Sequence, residues 1–447
     1  MSNANNQTDG VTRREFVQGA AAASGGIMLG AYAWGQDTPA GAGDELALAI
    51  IGVGSQGANL LNNCLKIPGV RFTAVCDIWP YWLTRFEKLL KRYDQPVATY
   101  QDYREMLAKE QHIDAVIVAT PDFVHAEHAN ACLKAGKHVY CEKEMSNTLA
   151  GAASMVRTAR ETGKLLQIGH QRRSNPRYWH ALKLIEKDKI LGRITHCSGQ
   201  WNRARLLEQG WPRSHELDAD TLSRYGYGSM QEYRNWRWFK KYSGGPIADL
   251  GSHQVDVFNW ALKSGPKSVF ASGGTDYYKE SEWYDNILCI YEYATPDGPV
   301  RGSYQVLNTT SHGGFYETFM GDEGSLIVSE DPRKGGFFRE VHAKRREWEA
   351  ESETTEQEGR EMFELKIGET LAPDGSKDPE GQRLLEESKK PVHQLHLENF
   401  FDAIRSGSPL SCPAEVGYET AASVLKANDS LAAGRPLVYE AQEFRVA

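Results

Sequence analysis

Between residues 46 and 170 the chain alternates short apolar runs with longer stretches that mix apolar and charged positions. Residues 46–53 (LALAIIGV), 70–76 and 115–120 (AVIVAT) carry few polar positions. That is the pattern of strands buried on both faces of a parallel sheet. Residues 138–141 and 165–169 repeat it on a smaller scale, and residues 58–65, 81–92, 125–135 and 148–162 between them read as helices, with Gly136 closing the third. Such alternation predicts a doubly wound α/β domain over residues 46–170, with ligands at the carboxyl ends of its strands. After residue 171 the rhythm changes. Residues 194–200, 267–273, 287–293, 300–306 and 315–321 read as strands separated by turns or long insertions, in a sheet with one buried and one partly open face. A helix over residues 415–433 is expected to pack back on the body.

The first strand runs into Gly52-Val53-Gly54-Ser55-Gln56-Gly57, and the second ends at Asp77, twenty residues after Gly57. Gly52 permits a tight turn, Gly54 lets the backbone approach a pyrophosphate, and Gly57 lets helix and strand pack closely. The amides of Ser55 and Gln56 open the helix, where free N–H groups and the positive dipole end favour phosphate. Asp77 can accept hydrogen bonds from ribose hydroxyls and would repel a 2′-phosphate, so NAD is the expected cofactor. Trp79 either walls the adenine or packs against the next helix. A lone G-x-G-x-x-G is a weak signal; one that follows a strand, opens a helix and has an acid at this distance is specific.

Three further strand ends carry candidate chemistry: Thr120-Pro121-Asp122-Phe123-Val124-His125, Glu142-Lys143-Glu144 and His170-Gln171-Arg172. Later, Gly244-Gly245 precedes Asp249 and His253, four residues apart and so on one face of a helical turn. Histidine is the natural base near neutral pH, and a carboxylate can orient it. Read from the residues alone, Lys143 is as well explained as a solvated lysine, and Asp249 and His253 as a helix cap and a packed histidine.

Together with Ala135-Gly136-Lys137-His138-Val139, these segments resemble the Gfo/Idh/MocA family, named for glucose–fructose oxidoreductase, inositol dehydrogenase and MocA, from about residue 46 to the C-terminus. The resemblance implies a Rossmann domain followed by an open, mainly antiparallel α+β domain often used for dimerisation. It implies cofactor contacts around Thr120, Pro121, Asp122, His125, Glu142 and Gln171. It also implies a substrate-side Lys143 that joins Asp249 and His253 around a sugar hydroxyl. Glu144 departs from the family pattern, which has a proline there, often after a cis peptide.

Residues 201–242 hold nine aromatics, twice the chain average of 10%, and six arginines. Aromatic faces suit the C–H faces of sugars, and arginine suits carboxylates and hydroxyls. A carbohydrate cleft, open to an acidic sugar, is the functional reading, with Arg172, Arg203, Tyr225 and Trp236 as substrate-side candidates. A packed interface or loop core is the plain one. Residues 347–364, with eight glutamates and one arginine, read as a solvated insertion, which residues 368–381 continue as loop; the whole insertion spans about 340–390.

The formal net charge of -8 argues against general nucleic-acid binding. No apolar run in the body of the chain reaches membrane-spanning length. The seven cysteines show no C-x-x-C spacing and read as buried and reduced. No metal is expected, since His393 and His396 lack a third ligand. At the front, Thr12-Arg13-Arg14-Glu15-Phe16 followed by an Ala/Gly-rich stretch and Ala31-Tyr32-Ala33 resembles a twin-arginine export signal over residues 1–33, with a linker at 34–45. The expected protein is therefore an exported, homo-oligomeric (dimer or tetramer), NAD-dependent oxidoreductase acting on a sugar. Free NAD is not expected outside the cytoplasm, so the cofactor must be retained and recycled. Two other readings stay open: a glycosidase or lyase working by transient C3 oxidation and elimination, and a non-catalytic NAD-holding carbohydrate binder. Glycosidases of that sort usually lack the Glu-Lys pair, which leans the resemblance toward a dehydrogenase.

Overall fold

The computed structural model describes residues 45–204, 208–350, 352–357, 359–364 and 379–446. The expected export signal lies outside the described residues, as does the linker up to residue 44.

The apolar runs become six parallel strands: β1 (Leu46–Ile51), β2 (Val70–Cys76), β3 (Ala98–Tyr100), β4 (Ala115–Val118), β5 (His138–Cys141) and β6 (Leu166–Ile168), in the order β3-β2-β1-β4-β5-β6. β1 is central, with Leu48, Ala49 and Ile50 wholly inaccessible, which is why its sequence has no polar face. Burying each large aliphatic side chain there contributes about 2 kcal/mol. The crossovers are α1 (Ser55–Cys64), α2 (Pro80–Arg92), α3 (Tyr103–Lys109), α4 (Asp122–Lys134) and α5 (Leu149–Thr162). The three-residue β3 and the short α3 are additions to the expected elements.

After α6 (Pro176–Glu186) comes β7 (Ile194–Asn202). The short helices α7 (Ala219–Arg224) and α8 (Met230–Arg234), a π-helical turn at Ile247–Gly251 and α9 (Ser252–Leu262) then precede β8 (Pro266–Gly274), β9 (Asn286–Thr295), β10 (Gly298–Leu307), β11 (Phe315–Gly321), β12 (Gly324–Val328) and β13 (Gly336–Arg339). With β14 (Thr354–Gln357), β15 (Arg360–Phe363) and a terminal β16 (Leu437–Val438), they form a ten-stranded sheet, order β14-β15-β13-β12-β11-β7-β10-β9-β8-β16. All its pairs are antiparallel except β7 with β10. This is the mainly antiparallel α+β layer that the resemblance implied. The glutamate-rich segment is a partial departure. Its β14 is exposed throughout, but β15 extends the sheet edge, Phe363 is buried, and Glu349 is buried against the Arg339 guanidinium at 2.9 Å. Part of the expected loop is helical as well, in α10 (Pro379–Glu387).

The two sheets are tied by the end of the chain. On α11 (Val392–Ser406), Leu397, Phe400 and Phe401 share a core with Leu48 and Tyr140. On α12 (Ala414–Ala433), Tyr418 and Ala421 join the other face of the parallel sheet, while Val424 and Ala427 join the core of the large sheet. The Cys412 carbonyl accepts from Ile168 N at the edge of β6, at 2.9 Å. All seven cysteines are free and buried.

Candidate active site

At the end of β1, Gly52 adopts φ +86°, and a Cβ there would stand 2.8 Å from the Ala119 carbonyl oxygen. A Cβ on Gly57 would stand 2.0 Å from the Gly52 carbonyl oxygen, so this is the close helix–strand contact. A Cβ on Gly54 meets nothing within 4 Å, which leaves room for a ligand to approach the main chain. Gly54 caps α1 without a side-chain hydrogen bond, and the first turn holds no acid. The helix end thus offers unspent amides and positive potential to a diphosphate. At the end of β2, the Asp77 carboxylate accepts from Val53 N and Trp79 N, each at 2.9 Å. Burial pushes its pKa up to about 6, against the pull of those two amides. These features fit a dinucleotide: an open glycine turn, an uncapped helix and an acid placed for the ribose.

The next strand ends complete this half. Thr120 and Pro121 lead into α4. Asp122 is buried and accepts from Gly244 N at 3.2 Å, which links this strand end to the second layer. Burial raises the Asp122 pKa above the ordinary carboxylate range. Glu142 Oε1 accepts from both Gln56 Nε2 and Gln171 Nε2 at 2.9 Å, so three of the expected cofactor residues form one cluster. His125 stands apart from the expectation. Its ring nitrogens lie 2.6 Å from the Thr120 carbonyl and 2.7 Å from the Glu144 carbonyl, and it is buried behind the cavity wall. It holds two loops together; the histidine that lines the cavity here is His128.

The Lys143–Glu144 peptide is cis despite the missing proline. Lys143 Nζ lies 3.5 Å from Asp249 Oδ1 and also donates to the Asp249 main-chain oxygen. Asp249 further accepts from Arg237 Nε at 3.1 Å and lies 3.7 Å from Arg203 Nη2. Burial pushes its carboxyl up, but Arg237, Lys143 and Arg203 more than offset this and hold it well below the usual carboxylate range. None of the described hydrogen bonds of Asp249 reaches His253, so the expected Asp249–His253 pairing is not present. The spacing of four brings both residues to one cavity, while the three cations take the carboxylate. His253 lies against the Trp201 ring at 5.5 Å. Burial, followed by Lys143 and Arg172, drives its pKa well below the ordinary histidine value, so the ring is neutral.

Of the substrate-side candidates, Arg203, Tyr225 and Trp236 line the cavity. Arg172 does not, and here the sequence reading needs correcting. Its side chain is 1% exposed, pairs with the wholly buried Glu317 and with Glu330 Oε1 at 3.3 Å, and lies 5.6 Å from the Trp201 ring centre. It braces the cavity wall from behind. Arg237, one of the six arginines of this stretch but not singled out among the candidates, stacks its guanidinium on Trp236 at 4.2 Å and reaches Asp249.

The aromatic segment docks on the parallel sheet. Trp79 is buried with Leu217, Tyr227, Met230 and Tyr242, donates from Nε1 to the His215 carbonyl at 2.5 Å, and meets Tyr233 edge-on at 5.9 Å. The Tyr225 hydroxyl donates to the Gln101 carbonyl at 2.9 Å. Trp79 therefore packs against this segment as well as its own helix. Of the two isolated histidines, His396 is spent between Ser174 Oγ and the Ile168 carbonyl, and His393 lines the cavity. Among the described residues no group of three or more His, Cys, Asp or Glu could hold a metal ion.

A single cavity of about 970 Å3 joins Gly52, Gly54 and Asp77 at one end to Lys143, Asp249 and His253 at the other. The fold and the dinucleotide cradle define an NAD-binding protein with a Rossmann domain and a second, α+β domain. Family models agree: "Oxidoreductase family, NAD-binding Rossmann fold" matches residues 46–170, and "GFO/IDH/MocA C-terminal domain" matches residues 178–327. The chain belongs to the Gfo/Idh/MocA family. A glycosyl hydrolase family 109 protein of Shewanella amazonensis is 31% identical over 276 residues, 56% of this chain and 58% of that protein. An inositol 2-dehydrogenase/D-chiro-inositol 3-dehydrogenase of Lactiplantibacillus plantarum is 29% identical over 182 residues, 39% of this chain and 51% of that protein. The chain thus spans little more than half the length of these curated relatives. The crystal structure of the WlbA dehydrogenase from Bordetella pertussis, in complex with NADH and UDP-GlcNAcA, has the same fold. Its TM-score is 0.63 at 19% identity, over 89% of this chain and 99% of that one.

Proposed function

We propose that this chain oxidises a hydroxyl of a sugar or sugar derivative and keeps its NAD through the cycle. The observation that carries the reading is the one cavity shared by the glycine turn and by Lys143, Asp249 and His253. NAD bound along the turn supplies a hydride acceptor. The protein's own residues orient the sugar, exclude water and move the hydroxyl proton. His253, held neutral, accepts that proton. Lys143 Nζ steadies the oxygen that loses it. Asp249, held anionic, fixes Lys143 and the two arginines rather than the base. Arg203 and Arg237 outnumber the charge of Asp249 once Lys143 is counted, and they favour a substrate with a carboxylate, an acidic sugar.

A second reading, transient oxidation followed by elimination of a glycosidic substituent, is favoured by the likeness to the family 109 glycosyl hydrolase. Incubating the purified protein with a sugar panel in D2O separates the two. Reduction of the bound NAD, or oxidation of one sugar matched by reduction of another, supports the oxidoreductase; glycoside cleavage with deuterium beside a carbinol and no net redox change supports elimination. Bound sugar with neither outcome marks a carbohydrate binder and overturns both.

The proposal extends to setting. The chain is exported by the twin-arginine route, and dinucleotide retained in protein purified from the extracytoplasmic compartment, read by native mass spectrometry, tests both export and retention. No described helix is long and apolar enough to cross a membrane. A second copy of the chain covers the outer face of the large sheet, where Phe270, Leu288 and Ile290 are exposed on adjacent strands β8 and β9. Replacing Leu288 and Ile290 with lysine should leave a monomer in light scattering.

A further inference from the structure

Behind His253, which lines the cavity, sits a second imidazole, His170, that the site leaves unexplained. His253 Nδ1 is buried and meets no hydrogen-bond partner, and the same holds for both ring nitrogens of His170, a residue 1% exposed just after β6. The two ring centres lie 6.3 Å apart with planes at 84°. A direct N–H···N bond of about 3 Å would bring such centres to about 5 Å. One water bonded to both rings at about 2.8 Å, with a tetrahedral angle between, sets them about 6 to 7 Å apart. The observed spacing falls in the bridged range. A buried water needs at least two polar partners, and unpartnered ring nitrogens on both sides supply them. Among the described residues no hydrogen bond joins a carboxylate to these nitrogens. Asp249 is held by Lys143, Arg237 and Arg203, and Asp256 by Arg173 and Thr420.

We infer that His170 is a positioning residue for His253, acting through one buried water held between His253 Nδ1 and a ring nitrogen of His170. His253 Nδ1–H donates to the water oxygen, and the water donates to the lone pair of a neutral His170. This fixes the His253 tautomer and leaves Nε2 with its lone pair free to take a substrate proton.

The groups around the pair are consistent with a neutral acceptor. Burial holds His170 down to about 4; Asp256 on α9 pulls it up, and Arg173, Lys143 and Arg172 push it further down. His253 is faced by Lys143, Arg172, His170 and, from α11, His393. His396, also on α11 and near His170, has both ring nitrogens occupied by Ser174 and Ile168.

The inference rests on the proposed role of His253 as base, so the test reads the tautomer itself. In the full chain with NAD bound and histidines labelled with 15N, His253 should appear as the Nδ1–H tautomer. His170→Phe should shift it toward Nε2–H, and His170→Asn, whose amide can hold the water, should restore it. With a turned-over sugar, His170→Phe should lower kcat by about tenfold or more while KM stays within about twofold, and His170→Asn should recover most of the loss. An unchanged His253 tautomer in His170→Phe overturns the inference. So does a crystal structure with no water in hydrogen-bond reach of both rings. If the tautomer responds as expected and no sugar is turned over, the oxidoreductase reading fails and the placement of His170 stands.

Discussion

The two ends of the cavity are built by different means. At the dinucleotide end the main chain makes the site: a turn with φ +86° at Gly52, open space beside Gly54, and an acid at Asp77 whose oxygens already take amides from the same loops. These parts fall within 26 residues of sequence, from Gly52 to Asp77. At the other end side-chain charge makes the site. Lys143 follows a strand of the parallel sheet, while Arg203, Arg237 and Asp249 belong to the second layer, so Lys143 meets them only because the two layers pack together. A main-chain site should be intolerant of a single added carbon and indifferent to charge, and a side-chain site the reverse.

The largest effect should come from the charged end. His253→Ala removes the base and should lower kcat by about 10²–10⁴ while NAD affinity stays within about twofold. Equal losses in both would break the division between the ends. Next comes Gly57→Ala, whose Cβ would lie 2.0 Å from the Gly52 carbonyl oxygen. Overpacking of this kind costs about 1–3 kcal/mol. Its expected signature in calorimetry is weaker NAD binding and a lower Tm, with sugar binding to the remaining holoenzyme unchanged.

The same contrast explains what could be read from the chain alone. The glycine turn, its flanking strand and Asp77 were legible because they are local, and each residue has one steric or electrostatic reason to be there. β3, three residues long, leaves no period to detect. Arg172 follows a strand end where a site residue belongs, but its true partner, Glu317, lies 145 positions away on β11. Asp249 and His253 share a cavity as their spacing suggests. What spacing could not show is that Arg237, twelve residues earlier, would take the carboxylate. Long-range charge pairing is set by the packing of the sheets, and composition reveals only that arginines are plentiful. The aromatic segment was recognised as unusual, but its docking on Trp79 depends on tertiary contact alone.

A smaller effect should appear at Asp77, a titrating carboxylate at the main-chain end. Its pKa, raised to about 6 by burial, gives two opposite signs. For the fold, a raised carboxyl contributes stability that is present below the unfolded value and lost as pH rises through about 6. For NAD, ribose hydroxyls donate to the carboxylate, so affinity should fall as pH drops below about 6, by up to about tenfold per unit. Titration calorimetry between pH 5 and 8 reads this directly, and Asp77→Asn should flatten the profile. A flat profile in the wild type would place the ribose elsewhere.

The smallest effect sharpens the other side. Arg203 lies 3.7 Å from Asp249 Oδ2, and its side chain is 43% exposed. At that exposure water screens the pair, so its contribution to stability is small. Its guanidinium is therefore free to serve a ligand at little cost to the fold. If the substrate is an acidic sugar, Arg203→Gln should raise KM for it about three- to tenfold, the loss of one charge-assisted contact in a partly wet site, with kcat nearly unchanged. KM for the neutral parent sugar should stay within about twofold. Added salt should weaken the acidic substrate more than the neutral one, and the variant should lose part of that dependence. Equal changes for both sugars would mean that Arg203 only supports Asp249, and the preference for a carboxylate would have to be abandoned.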